Sequence, residues 1–357
     1  MAEQQAGLSG PVEVIGTGLL GTSIGLALRR AGIGVLLSDA NPEHVRTAVG
    51  LGAGRPRQPE DRPQLVVVAV PPDHLGEVID RALSASDAVV TDVGSVKSAP
   101  LAAVRGHPRV ARYVGSHPMA GSERSGPLAA SGVLFDGRPW AVTPHQASDA
   151  DAAALVAALA TVCGAVPIEL SPVEHDRAVA RTSHVPHLLA ALAAGRLADA
   201  PTEHLALSGQ GVRDVTRVAA GDPALYGQIV TANSGAVLDL LTEVRDRLDA
   251  VIEAVEAVDR PALEGLLAEG VAGTRAIPGK HGGPTRVTES IFVALPDHPG
   301  ELARVFADAG ASGVNIEDVH MDHDPGRPVG LLELTVEEGR GEQLLASLES
   351  KGWVTHR

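Results

Sequence analysis

A short apolar run, Val12-Glu13-Val14-Ile15, leads directly into Gly16-Thr17-Gly18-Leu19-Leu20-Gly21, and helical character follows from Ser23 to Arg30 until Gly32 stops it. No other stretch restricts the fold more. A G-x-G-x-x-G loop between strand and helix belongs to a parallel sheet: the first glycine makes the tight turn, the second admits a pyrophosphate to the backbone, and the third lets helix and strand pack closely. The helix N-terminus then offers unpaired amides and a partial positive charge to a phosphate. The next strand, Gly34 to Asp39, ends in Asp39, about 20 residues past the loop, where a ribose-binding carboxylate belongs. Such a group accepts the ribose hydroxyls and repels a 2′-phosphate, so NAD is expected rather than NADP. Asp39 is also placed to cap the helix beginning near Pro42, a role that Asn41 can take instead.

The remaining pattern extends this start into three regions. Leu65 to Val70 is an unbroken apolar run ending in Pro71-Pro72, as a strand buried on both faces requires, and Asp87 to Val93 repeats it. With strands expected at Val110 to Val114, Trp140 to Thr143 and Val166 to Leu170, and a helix from Asp149 to Val162, residues 10–172 form an alternating α/β domain of Rossmann type. Val70 closes one of its strands beside the glycine loop and joins the expected cofactor contacts. Beyond Pro172 the strand signal disappears, so residues 173–280 are expected to be all helical. A long helix from His175 to Asp199 contains Ser183-His184-Val185-Pro186-His187, where Pro186 removes the hydrogen bond to the Thr182 carbonyl and kinks it. Asp176, Ser183 and His187 are placed on one face by their spacing. Val237, Leu241, Val244, Leu248, Val251, Val255 and Val258 recur as a heptad seam, either domain core or a subunit contact, and a homodimer is expected. Pro278 to Pro284 reads as a linker. Residues 288–357 then run in the order βαββαβ.

Candidate chemistry gathers at strand ends. Ser116-His117-Pro118-Met119-Ala120-Gly121-Ser122-Glu123 follows the expected Val110–Val114 strand, and Thr91-Asp92-Val93-Gly94-Ser95-Val96-Lys97 precedes it; Ser95 and Lys97 offer a hydroxyl and an ammonium to the same crevice as His117. A lone loop histidine is commonly structural; the company gives this one weight. Arg213 and Arg217 lie four apart on one helix face, where like charges cost a few tenths of a kcal/mol, a cost that an anionic ligand would explain. The alternative is that they are solvated or paired with Asp214 and Asp222. His184 and His187 lack a carboxylate or cysteine at ligand spacing, so no metal is expected.

The net charge of −15 argues against nucleic acid and anionic membranes as partners. One cysteine, Cys163, excludes an internal disulfide and fits a reducing compartment. No apolar run approaches the roughly 20 residues that span a bilayer, and Met1 to Gly10 lacks a signal-peptide pattern, so a cytoplasmic protein is expected.

Together, the glycine loop, Asp92 to Lys97, His117 to Glu123, Ser183 to His187 and Arg213 to Arg217 resemble the prephenate/arogenate dehydrogenase family of tyrosine biosynthesis over nearly the whole chain. Asp297-His298-Pro299-Gly300-Glu301-Leu302 with Gly313-Val314-Asn315-Ile316 resembles the ligand loop and second strand of an ACT module. The resemblance implies NAD-dependent oxidative decarboxylation of a small-molecule substrate, prephenate or arogenate. It implies His117 as base toward the ring hydroxyl, Ser95 orienting that hydroxyl, Arg217 binding a substrate carboxylate, His187 and Arg213 lining the pocket, and Glu123, Asp176 and Asp214 in support. It further implies an amino-acid effector, tyrosine first, held by Asp297, His298, Gly300, Glu301, Asn315 and Ile316. Arg213 departs from the Lys of many members. A 3-hydroxyacid-type dehydrogenase would place a catalytic Lys in the helical region, yet no Lys lies between Glu174 and Gly279. A non-catalytic sensor is opposed by the intact His117, Ser95 and Arg217 set.

Overall fold

The computed structural model describes residues 7–121, 124–277, 287–323 and 329–357. Glu123 and the expected linker Pro278 to Pro284 lie outside the described residues. The chain divides into two compact units, residues 1–245 and 246–357. The first therefore holds both the α/β region and most of the helical region.

In the first unit β1 (Val12–Ile15), α1 (Leu19–Arg30), β2 (Val35–Ser38), α2 (Pro42–Gly50), β3 (Arg55–Pro56), β4 (Leu65–Val68), α3 (Leu75–Ala85), β5 (Val89–Asp92) and α4 (Ser98–Val104) follow one another. The strands form a parallel sheet of order β3-β2-β1-β4-β5. Every residue of β4 is buried, because its alternate side chains enter different cores. Leu65 and Val67 pack with Ile24 and Leu28 of α1, whereas Val66 and Val68 pack with Leu75, Ile79 and Leu83 of α3. Chain order reverses between β1 and β4, which opens a crevice at their carboxyl ends.

The glycine loop fills that position. Gly16 has φ +97°, and a Cβ there would fall 2.4 Å from the Ala69 carbonyl oxygen; one on Gly21 would fall 1.9 Å from the Gly16 carbonyl. Gly18 has nothing within 4 Å of the same position, so its backbone is open to a ligand. Asn41 caps α2 by accepting from the Glu43 amide at 3.0 Å, which frees Asp39 from that role. Asp39 instead accepts from the Thr17 amide at 2.6 Å and the Thr17 hydroxyl at 3.0 Å, and so braces the loop.

The next segment departs from expectation. Val110–Arg112 is a 3-10 turn, and the strand, β6 (Gly115–Pro118), contains His117 instead of preceding it. With β7 (Pro139–Thr143), α5 (Ala150–Val162) and β8 (Val166–Glu169) it builds a second sheet of order β6-β7-β8, in which β6 is antiparallel to β7. Pro118 is tolerated because β6 is an edge strand that ends there.

Helices α6 (Pro172–Val179), α7 (Val185–Gly195), α8 (Thr202–Leu205), α9 (Gln210–Arg217), α10 (Pro223–Ala232), α11 (Ser234–Glu256) and α12 (Arg260–Arg275) follow, with no strand among them. The kink expected at Pro186 takes the form of a π-turn, Ala180–His184, joining α6 to α7. Its wider turn shifts the helical phase. Asp176, His184 and His187 are consequently buried, while Ser183, expected on their face, is exposed. Of the heptad positions, Val237 is buried with Ala180 and Val185, whereas Leu248, Val255 and Val258 are exposed. No helix among the described residues is long and apolar enough to cross a membrane.

The second unit carries β9 (Thr288–Pro296), α13 (Glu301–Gly310), β10 (Ile316–His323), β11 (Val329–Glu337), α14 (Gly341–Ser350) and β12 (Val354–His356), the expected βαββαβ order. Its antiparallel sheet, β10-β11-β9-β12, has its own core of Ile291, Val293, Leu332, Leu334, Leu344 and Leu348.

The second and third glycines of the loop are predicted to tolerate a methyl group unequally. Gly21→Ala is expected to destabilise the fold by at least about 1–3 kcal/mol through backbone displacement, and Gly18→Ala by no more than about 1 kcal/mol. Urea denaturation of the two variants measures the difference, and equal midpoints would contradict the packing described.

Candidate active site

His117 enters the site from β6, and the anchoring of that strand begins with a buried ion pair. The Lys97 side chain is fully buried, its Nζ donating to Asp92 Oδ2 and, at 2.7 Å, to the Ser116 carbonyl. Asp92 also accepts from the Tyr113 hydroxyl at 2.8 Å and the Gly94 amide at 2.9 Å. The expectation that Lys97 presents its ammonium to the crevice is therefore corrected: the charge is spent internally, because a buried ammonium must be paired. Its burial draws its pKa down, against the opposing attraction of Asp92. The pair fixes the carbonyl next to His117 and leaves Ser95 half-buried on the same loop.

His117 then meets the helical region. Its Nδ1 lies 3.0 Å from His175 Nε2, and His175 Nδ1 lies 2.9 Å from Asp176 Oδ1. The Asp176 carboxylate also accepts from the amides of Lys97 and Ser98, each at 2.8 Å. Burial works to raise the Asp176 pKa, but these hydrogen bonds outweigh it and hold the group below the usual carboxylate range. Burial, with repulsion from His175, Lys97 and His184, holds His117 well below the ordinary histidine range. Burial likewise lowers His175 despite its bond to Asp176. His117 is thus neutral at pH 7, the state a proton acceptor needs. Around the far side, Asn233 Nδ2 donates to the Asp176 carbonyl at 2.8 Å and lies 3.2 Å from His184 Nδ1.

His187 is 6% exposed and stacks on Tyr226, ring centroids 3.4 Å apart and 5° from parallel, with Nδ1 lacking a partner among the described residues. Arg213, Asp214 and Arg217 are exposed on α9, which packs against α7. Asp214 accepts from Gln210 at 3.0 Å and Asp222 caps α10. Neither Arg213 nor Arg217 has an acidic partner among the described residues, so the pairing alternative does not hold. No hydrogen bond among the described residues links them to His117. A surface cleft of about 200 Å³ lined by Ser98, Arg105, His145 and Ser171 contains none of the groups just described, apart from Ser98.

Sequence reasoning missed His175, His184 and Asn233 as members of this network. His175 stands 58 residues from His117, a separation that no local periodicity connects. The available signal was its place beside Asp176 near the start of a helix.

Two family models match the chain: the nucleotide-binding domain of prephenate dehydrogenase over residues 24–169, and its dimerization domain over residues 171–269. A probable prephenate dehydrogenase of Streptomyces niveus is 35% identical over 354 residues, covering 95% of this chain and 98% of that protein. Among solved structures, prephenate dehydrogenase from Aquifex aeolicus in complex with hydroxyphenyl propionate and NAD+ is similar with TM-score 0.67 and 27% identity, over 74% of this chain and 96% of that one. An arogenate dehydrogenase of Synechocystis gives TM-score 0.63 and 25% identity, over 74% and 98%.

The buried histidines make stability acid-sensitive. Burial lowers the pKa of His184 from 6.5 to about 4, so on acidification the unfolded chain takes up a proton before the folded one does. This contribution is complete above the unfolded pKa and is lost as pH falls from 6.5 toward about 4. Urea midpoints should decline through that window, with His117 and His175 acting in the same direction; a flat profile would refute neutral burial.

Proposed function

Because this chain belongs to the prephenate dehydrogenase family, we propose that the network ending in His117 is its reaction centre. The reaction is the NAD-dependent conversion of prephenate to 4-hydroxyphenylpyruvate and CO2. The open backbone at Gly18, the amides of α1 left without a side-chain cap, and Asp39 fit a dinucleotide. Thr17, Leu19, Leu20 and Val70 complete that contact, with Gly16 and Gly21 shaping it. NAD, when bound there, would supply the hydride acceptor. Asp39 favours the unphosphorylated ribose.

His117 accepts the proton of the ring hydroxyl as the hydride departs, and Ser95 orients that hydroxyl. Arg217 binds a substrate carboxylate through its free guanidinium fork, with Arg213 and His187 lining the same pocket. Glu123, Asp176 and Asp214 support these groups. The observation that carries the reading is a neutral, half-buried His117 hydrogen-bonded at 3.0 Å to a second histidine.

Residues 10–172, 173–280 and 288–357 serve as cofactor, substrate and dimerisation, and regulatory domains respectively. The exposed apolar side chains Leu248, Ile252 and Val255 of α11 support a homodimer, and the protein is placed in the cytoplasm. The βαββαβ unit acts as an ACT module that binds an amino acid, tyrosine first, through Asp297, His298, Gly300, Glu301, Asn315 and Ile316. Gly300 has φ +95°, so any side chain there would strain the backbone, and Asn315 is the better probe.

Absorbance at 340 nm with NAD and prephenate, and separately with arogenate, tests the activity. His117→Asn should lower kcat by at least about 10²-fold with little change in substrate affinity, whereas Arg217→Ala should chiefly raise KM. Near-normal kinetics in both would refute the site. Asn315→Ala should weaken tyrosine inhibition and leave uninhibited activity near normal; undiminished inhibition would remove the effector assignment.

A further inference from the structure

We infer that His175 is a positioning residue that fixes the tautomer of His117, leaving His117 Nε2 as a bare lone pair for the substrate hydroxyl. The inference rests on the reading of His117 as the base and assigns what makes it one.

The argument is a chain of donors and acceptors. Backbone amides only donate, so the 2.8 Å contacts from Lys97 and Ser98 require both Asp176 oxygens to act as acceptors. His175 Nδ1, 2.9 Å from Oδ1, must therefore carry the hydrogen of that bond. A neutral imidazole has one N–H, so His175 Nε2 is an acceptor. The 3.0 Å contact with His117 Nδ1 then needs a hydrogen, and only His117 can supply it. With its single proton on Nδ1, His117 keeps Nε2 unprotonated. The remote end of the chain is fixed because Asp176 is held by amides of a different segment, 79 and 78 residues away along the chain.

The same chain favours the proton transfer. As the substrate O–H bond breaks, a new N–H bond forms at His117 Nε2 and the ring becomes an imidazolium. Its Nδ1–H then donates as a cation to His175, whose own N–H points at an anionic carboxylate. A base oriented by a third group is the logic of catalytic triads; here a second imidazole lies between base and carboxylate. His175 is 1% exposed and touches neither substrate nor cofactor in this scheme.

Two measurements on the full chain test this. In protein labelled with ¹⁵N-histidine, with the His117 signals identified by their loss in His117→Asn, Nδ1 should be the protonated nitrogen at neutral pH; a proton on Nε2 overturns the inference without any variant at His175. In steady-state assays, His175→Phe should lower kcat by about 10²-fold or more with KM for NAD and prephenate nearly unchanged. His175→Gln, which restores an acceptor oxygen toward His117, should recover at least about tenfold of that loss. Normal turnover in His175→Phe beside an inactive His117→Asn overturns the tautomer assignment alone. Normal turnover in His117→Asn removes the base, and with it the reaction-centre reading on which this inference stands.

Discussion

One carboxylate, that of Asp176, ties together elements that the chain keeps far apart. It is nearly buried, and taking a carboxylate out of water costs several kcal/mol unless it is well bonded. Three N–H groups repay that cost, two from the start of α4 and one from the imidazole beside it in α6. The Asp176 carbonyl takes a fourth donor, from Asn233 between α10 and α11. The α/β region and the helical region are thus joined through the solvation of a single charge. A charged acceptor demands donors in particular directions, so it fixes orientation more tightly than apolar contact would.

Behind that junction the Lys97–Asp92 pair has a different purpose. A fully buried ion pair contributes little net stability compared with apolar residues of similar volume. Its value lies in geometry. Lys97 spans from β5 to the Ser116 carbonyl, and Tyr113 closes the far side of Asp92. An edge strand ending in proline makes few ladder bonds of its own, and this polar clamp supplies the missing restraint. The positive charge so placed also adds, after burial and the repulsion of His175, to what keeps His117 from protonating.

Much of this was legible along the chain. Four of the five parallel strands follow apolar runs, the exception being the two-residue β3, and β9 and β11 of the βαββαβ unit bury alternate residues, because burial on two faces or on one leaves different periods. The tight turn at Gly16 and the close packing at Gly21 were legible as well. The sequence misled where local propensity and tertiary pairing disagree. Val110-Ala111-Arg112-Tyr113-Val114 looks like a strand but turns, while Gly115 to Pro118 looks like a loop but pairs with β7. The partnership of His117 with His175 depends on how two regions dock, and no spacing within either region encodes it. Lys97 was misjudged because a lysine near a crevice is usually solvated, and only the surrounding Asp92, Tyr113 and Ser116 reveal it as internal.

The π-turn at Ala180–His184 separates two registers within one continuous rod. Asp176 lies before it and His187 after it, so the residue bonded to His175 and the residue stacked on Tyr226 do not share a helical phase. The extra residue works like a vernier: rotation of the segment after it need not rotate the segment before it. Change can therefore accumulate on the His187 side of the rod, while the segment that carries Asp176 keeps its aim.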